Sequence, residues 1–295
     1  VVNIAKLLNY VPRSVQASGG TVNLTVQTIQ SSGSYPSTVT LKKGAVATGG
    51  NYIWNITSDT TAEVNSTTGI ATFTNLVLKE GSIVNFQYVV NTFASQNYKV
   101  PSEDADINTL SVRVKANESS TTSDLYNVVD TITGLTANSR VYFLSEGEDM
   151  RYEVKFGDDS VGRALKDGEV VQFEYLVTSG AEANDVDKFS YIGRMNDTLG
   201  QSYSTAAVTL TKVARSQNGT AAETIESIKY NAPRFYSSQY RAVTAGDYAI
   251  LTKKVYPNAS AVVAYGGDSL NPPVYGKVYV AVKAATGATL NDATK

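Results

Sequence analysis

The sequence predicts a mainly β protein: an antiparallel β-sandwich-like domain followed by a small helix-containing α+β domain. Three observations carry this. Apolar and polar residues alternate with period two through much of residues 21–213, the mark of strands with one buried face. Clusters of Gly, Ser, Asn and Asp punctuate those runs, as turns require. From about Ala214 the apolar residues fall three and four apart, which is helical spacing. The 295 residues suit about two domains. A hydrophobic content of 42% supplies a core, and with only 18% charged residues the exposed strand faces are left to Ser, Thr and Asn.

In chain order, Ile4, Leu7 and Leu8 share a helical face, and Pro12 ends that helix because proline disfavours helical geometry at the residue before it. Residues 1–20 are read as the end of a truncated helix and a linker, in a chain whose natural protein continues before Val1. In 21–30, Val22, Leu24 and Val26 point inward. Val39 with Leu41, and Tyr52 with Trp54 and Ile56, mark two more strands. Residues 69–78 and 82–90 are predicted to form a hairpin around Lys79-Glu80-Gly81. Leu110, Val112 and Val114 mark a strand over 108–116, and a polar break near 116–123 offers a division of the β region into two subdomains. Residues 125–132 read as a strand or one helical turn, with the strand preferred. Residues 140–145 and 150–156 are expected to pair around Glu146-Gly147-Glu148-Asp149. Val171, Phe173 and Tyr175 share one phase of 169–178. Residues 181–200 are polar and irregular, and 205–213 is another alternating strand.

Residues 214–295 form the α+β part. Ile225 and Ile228 mark a short helix over 222–230 that Pro233 stops, with 234–243 extended or looped. Thr244 and Asp247 have the spacing of an N-cap box, in which the hydroxyl accepts from an unpaired amide and the carboxylate sits at the positive helix end. The helix that follows carries Tyr248, Leu251, Thr252 and Val255, and Pro257 ends it. Strands over 259–265 and 277–284 are joined by the loop 266–276.

The chemistry expected of this chain is sparse. A net charge of −2 gives no general basic face for nucleic acid. Cys and His are absent, which removes disulfides, thiolate or imidazole zinc sites, thiol nucleophiles and His-based triads. No apolar run approaches the ~20 residues that cross a bilayer as a helix. No phosphate-binding glycine motif occurs. Asp104-x-Asp106-x-Asn108 imitates the start of a calcium loop, but Thr109 and Lys115 stand where Gly and Glu are needed, so it reads as a solvated loop before a strand. The acidic knot Asp158-Asp159 with Arg163, Lys166, Asp167 and Glu169 reads as turn chemistry rather than a catalytic carboxylate pair. Gly157, Asp158, Asp159, Gly162, Arg163 and Gly168 are its structural residues, and residues 152–180 read as a hairpin holding the β domain together, with Asp158 and Arg163 as partners. No catalytic residue, cofactor or metal is expected. Most of the 19 Tyr, among them Tyr88, Tyr152 and Tyr175, fall on strand phases and are expected to line sheets. Asn-x-Ser/Thr matches such as Asn23, Asn55 and Asn258 are read as chance in a chain so rich in these residues.

Two segments carry a family resemblance. One is Phe156-Gly157-Asp158-Asp159 with Gly162-Arg163, Gly168 and the exit Thr178-Ser179-Gly180. The other is Ala232-Pro233-Arg234-Phe235 followed by Arg241-Ala242-Val243-Thr244-Ala245-Gly246-Asp247-Tyr248. Together with Leu41-Lys42-Lys43-Gly44 and Phe73-Thr74 they resemble the baseplate J-like family of contractile phage tails. Asp159 stands where that family has Gly, and 181–184 blurs its usual Gly-Asn exit. The Ser/Thr/Asn-rich style and Leu7-Leu8-Asn9-Tyr10-Val11-Pro12-Arg13-Ser14 look most like the C-terminal part of the wedge subunit of T4-like phages. The resemblance implies a virion structural protein of the tail baseplate, assembled in the host cytoplasm and without catalytic residues. It implies dimers within a ring that links wedges, contacts with other wedge subunits and the sheath-initiating protein, and rearrangement when the tail contracts. Contacts are expected at 234–248 and 266–275, with Arg234, Phe235, Tyr236, Tyr240, Arg241, Asp247, Tyr248 and Tyr275 as the residues. An extracellular adhesin or carbohydrate-binding module is the alternative, and a glycoside hydrolase using Asp158 or Asp159 a third reading.

Overall fold

The computed structural model describes residues 2–147, 149, 151–256 and 259–284. The chain begins with α1 (Val2–Leu7). Six strands follow: β1 (Gly19–Gln27), β2 (Thr38–Leu41), β3 (Gly44–Gly49), β4 (Tyr52–Ile56), β5 (Thr60–Glu63) and β6 (Ile70–Glu80). Next come β7 (Ser82–Val89), β8 (Tyr98–Lys99), β9 (Ala105–Lys115), β10 (Asp124–Val128), β11 (Val141–Glu146), β12 (Tyr152–Phe156) and β13 (Val170–Val177). The short β14 (Ser190–Tyr191), β15 (Met195–Asp197) and β16 (Ser202–Tyr203) precede β17 (Val208–Gln217). The chain then forms α2 (Ile225–Ser238), α3 (Ala245–Val255), β18 (Ala259–Gly266) and β19 (Val278–Ala284). The architecture is mainly antiparallel β with a helix-containing C-terminal part, as the sequence predicts.

A six-stranded sheet in the order β14-β3-β4-β6-β1-β17 shares one core with a four-stranded sheet, β16-β15-β2-β5. The alternation in β1 does what its spacing demands: Val22, Leu24 and Val26 are all buried against Val39, Leu41, Trp54 and Phe73. A seven-stranded sheet, β7-β13-β9-β10-β11-β12-β8, has its own core. Val171, Phe173 and Tyr175 of β13 point into it, as do Tyr152 and, partly, Tyr88. Edge-to-face contacts run from Phe86 to Tyr88, Tyr98, Phe156 and Tyr126 with centroids 5.0–5.5 Å apart. The sequence-predicted β11–β12 pairing is present.

Several expectations fail, each for a physical reason. Residues 69–90 are not a hairpin: β6 lies in the six-stranded sheet and β7 in the seven-stranded one. Gly81, at φ 133°, turns the chain between them, its amide bonds the Ile53 carbonyl, and a Cβ there would lie 2.5 Å from the Val177 carbonyl oxygen. Only glycine fits that approach.

Residues 152–180 are not a hairpin either, since β9, β10 and β11 lie between β12 and β13. The intervening loop is long enough to cross the sheet. It is pinned on the way by hydrogen bonds from Gly162 to Thr136 and from Arg163 to Ser139.

Residues 181–200 are mostly irregular, as the sequence predicts, yet they supply core side chains. Ala183, Tyr191 and Met195 enter the first core, because the chain returns there to supply β14, β15 and finally β17, which pairs with β1.

Helix α2 runs through Pro233 to Ser238 instead of stopping before it. An interior proline costs about 3 kcal/mol. Burying Phe235 and Ala232, exposed by 2% and 3%, offsets a comparable amount at roughly 1.5–3 kcal/mol per large side chain. Tertiary packing therefore overrides the local stop signal. Asp106 also departs from its expected solvated loop. It is 1% exposed at the start of β9, where its carboxylate accepts from the amides of Ala17 and Asn108.

Candidate assembly surface

Helix α2 is built from its N-terminus upward. Thr224 caps it, accepting from the Ser227 amide at 3.3 Å, and Ile228 and Ala232, one turn apart, pack on Ala5 of α1. Just before the cap stands Glu223, whose carboxylate accepts from Tyr10 Oη (3.0 and 2.9 Å), the Arg13 amide, Ser227 Oγ and Asn231 Nδ2. This ties the N-terminal segment to α2. Burial, and then Glu223, push the Tyr10 phenol well above the ordinary tyrosine range. A cavity of about 370 Å³ lies here, lined by Tyr10, Glu223, Asn231, Phe235, Ile250 and Lys253.

The far end of α2 is held by aromatic contacts. Phe235 packs edge-on against Tyr10 (5.6 Å) and Tyr240 (4.8 Å), and Lys254 of α3 places its ammonium 4.7 Å from both the Phe235 and Tyr240 rings. Lys254 also pairs with Asp130 at 2.9 Å. Gln239 and Tyr240 are left-handed at φ 46° and 59°, a conformation unfavourable for non-glycine residues. The Phe235–Tyr240–Lys254 cluster holds the chain there. Arg234 lies over the Tyr230 ring at 3.6 Å and donates to the Tyr230 carbonyl.

The expected cap of α3 is present in full. Thr244 Oγ1 accepts from the Asp247 amide, and Asp247 Oδ2 accepts from the amides of Thr244 and Val243. The Thr244 amide, first among these bonds, holds the Asp247 carboxyl below the ordinary aspartate range. Thr244→Ala removes half of the box and should lower stability by about 1 kcal/mol. Faster hydrogen exchange at the Asp247 amide would check it. Pro257 lies outside the described residues.

Beyond α3, β18 and β19 pair antiparallel and join no other sheet among the described residues. A lone two-stranded ribbon is marginal in water, and helix α3 packs against β18. Val262, Ala264 and Val282 are partly covered. Val263 is 60% exposed, and Tyr265 stacks on Tyr279 at 5.7 Å.

The structure therefore sorts the expected contact residues. Arg234, Tyr236 and Arg241 are exposed along α2 and its exit, Tyr240 is held by the cluster but still exposed, and Tyr275 projects from the loop at 80% exposure. Phe235 is interior and acts by positioning Tyr240. Asp247 and Tyr248 are partly covered. Sequence reasoning misses Glu223, Lys254 and Asp130, because their partners lie far away along the chain.

The acidic knot resolves as structure. Asp158 accepts from the amides of Ser160 and Val161, and Asp159, left-handed at φ 65°, accepts from the Ala164 amide. The backbone amides hold the Asp158 carboxyl low. Both carboxylates shape the loop by accepting from its backbone amides. Arg163 does not pair with Asp158. It pairs with the buried Glu169 and donates to Tyr126 Oη, and the Glu169 bonds come first among the causes that raise its pKa. Gly157 is required because a Cβ there would fall 2.2 Å from Gly162, itself at φ 82°.

One buried acid is poorly accommodated. Glu146 is 9% exposed, and among the described residues its Oε2 has no hydrogen-bond partner. Burial, with a smaller effect of Glu223, raises its pKa above the usual 4.5. A carboxyl with a raised folded-state pKa contributes stability fully below the unfolded value, and that contribution is lost as pH rises through the folded one. Glu146→Gln should therefore flatten the loss of stability above about pH 4.5. Denaturation midpoints of both proteins across pH 4–8 would check this.

Residues 244–295 match the family described as baseplate structural protein gp6, C-terminal domain I. The match begins at the cap residue of α3 and spans the β18–β19 ribbon; its last residues, 285–295, lie outside the described ones. A search of curated proteins with the chain returns no match. The family match supports a structural role in a phage baseplate, hence a place in the virion tail and contacts with other baseplate proteins.

Proposed function

We propose that this chain is a non-catalytic wedge component of a contractile-tail baseplate, similar to the C-terminal part of the wedge subunit of T4-like phages. It self-associates as dimers within a ring that joins wedges, and the ring rearranges on contraction. Other wedge subunits and the sheath-initiating protein are its further partners, met during assembly in the host cytoplasm. In this reading the β-rich 21–213 and the α+β 214–295 act as separate contact units, and a closed ring needs two such surfaces per subunit. The observation that carries it is the gp6 C-terminal domain I match falling on the part of the chain that exposes Val263, Tyr265 and Tyr275. Scattered exposed apolar residues are ordinary, but on a ribbon with so little covering they suit a protein interface, where Tyr is enriched. Tyr236 and Arg241 extend that surface along α2. Mixing the chain with wedge components and following co-sedimentation tests it: Tyr265→Asp with Tyr275→Asp should reduce incorporation while leaving the fold intact. Undiminished incorporation would remove the ribbon from the interface.

A further inference from the structure

The seven-stranded sheet ends in two unlike edges. On one side lies the two-residue β8 and on the other the eight-residue β7. Proteins blunt open edges with short strands, bulges, prolines or charges. The outer strand β17 of the six-stranded sheet follows this rule, carrying Lys212 and Arg215 and shifting register against β1. Strand β7, Ser-Ile-Val-Asn-Phe-Gln-Tyr-Val, has none of these protections, and its register with β13 is unbroken.

Its outward groups can be assigned. The Val90 amide donates to the Glu169 carbonyl, and the Val90 carbonyl accepts from the Gly168 amide. Backbone groups alternate in direction along a strand, so the even-numbered residues of β7 turn to β13 and the odd-numbered ones turn outward. Gln96 Nε2 occupies the outward carbonyl of Val89. Among the described residues nothing bonds the outward N–H and C=O groups of Ile83, Asn85 and Gln87.

We propose that β7 pairs antiparallel with β7 of a second copy, about a two-fold axis through Phe86. In that register Asn85 faces Gln87 of the second copy, so their outward backbone groups exchange hydrogen bonds. Val84 faces Tyr88, and Phe86 meets its own counterpart at the non-hydrogen-bonded position where side chains come closest, while Ile83 lies opposite Val89, whose carbonyl keeps Gln96 as its donor. Apolar meets apolar and amide meets amide, with no charge opposed. Sliding by two residues puts Ile83 against Gln87 or Asn85 against Val89, so the pattern of the strand selects both the register and a second copy as occupant. The pairing covers Phe86 and Val89, exposed by 38% and 49%. It rests on the self-association reading above and names a surface for it.

The chain has no cysteine, so Phe86→Cys introduces a single thiol at the axis, close to disulfide reach in such a pair. Mild oxidation should give a covalent dimer, whereas Val213→Cys on the outer strand of the other sheet should not crosslink. In sedimentation, Phe86→Lys and Phe86→Glu should each weaken self-association by about tenfold or more, and an equimolar mixture of the two should pair again. If Phe86→Cys links no faster than Val213→Cys and both charged variants dimerise like the wild type, the edge pairing is wrong and self-association stands. If the wild type is monomeric at every concentration, both are wrong.

Discussion

Phe235→Ala should lower the unfolding free energy by about 3–5 kcal/mol, the range for emptying a buried aromatic site. The ring is 2% exposed and joins Tyr10 of the N-terminal segment, the α2 core, the left-handed Tyr240 and the Lys254 ammonium. Its loss leaves Pro233 inside α2 without the burial that offsets it, so the last turn of α2 should fray. Equilibrium denaturation gives the magnitude, and hydrogen exchange along α2 gives the location. A loss below 1 kcal/mol with unchanged exchange would mean the helix end does not depend on this cluster.

Arg163→Met should cost about 2–4 kcal/mol, because it strands the Glu169 carboxylate, 7% exposed, without its cation. The guanidinium itself is partly in water, which places the effect below that of a fully buried pair. Lys166 still donates its amide to Glu169, so the loop should loosen without losing its whole shape. Asp158→Asn should move the midpoint much less, since that carboxylate lies at the surface and the amide side chain still offers an oxygen to Ser160 and Val161. Urea titrations of the two variants side by side distinguish a structural Arg163–Glu169 pair from a function centred on the exposed acids.

Much of the fold was legible because burial imposes a period. Val22, Leu24 and Val26, or Val171, Phe173 and Tyr175, leave little choice of which face turns inward. The box of Thr244 and Asp247 was legible because a cap is a contact over three residues. What remained hidden depends on pairing at a distance. Nothing local tells β7 to leave β6 for β13, and the deciding event is the close approach of Gly81 to Val177. The same holds for Arg163, whose nearest acid in the motif is not its partner. Pro233 misleads because a propensity of a few kcal/mol is outweighed by the packing of Phe235, which no local signal shows. Burial within the proposed contact segment is not legible: interior Phe235 and exposed Tyr236 look alike in a sequence.

The central claim is that this chain is a building block of a baseplate. Electron microscopy of baseplate wedge components assembled with and without it tests that most directly. The claim predicts added density within each wedge and closure of wedges into rings only when the chain is present. Identical particles in both preparations, with the chain left free in solution, would contradict it.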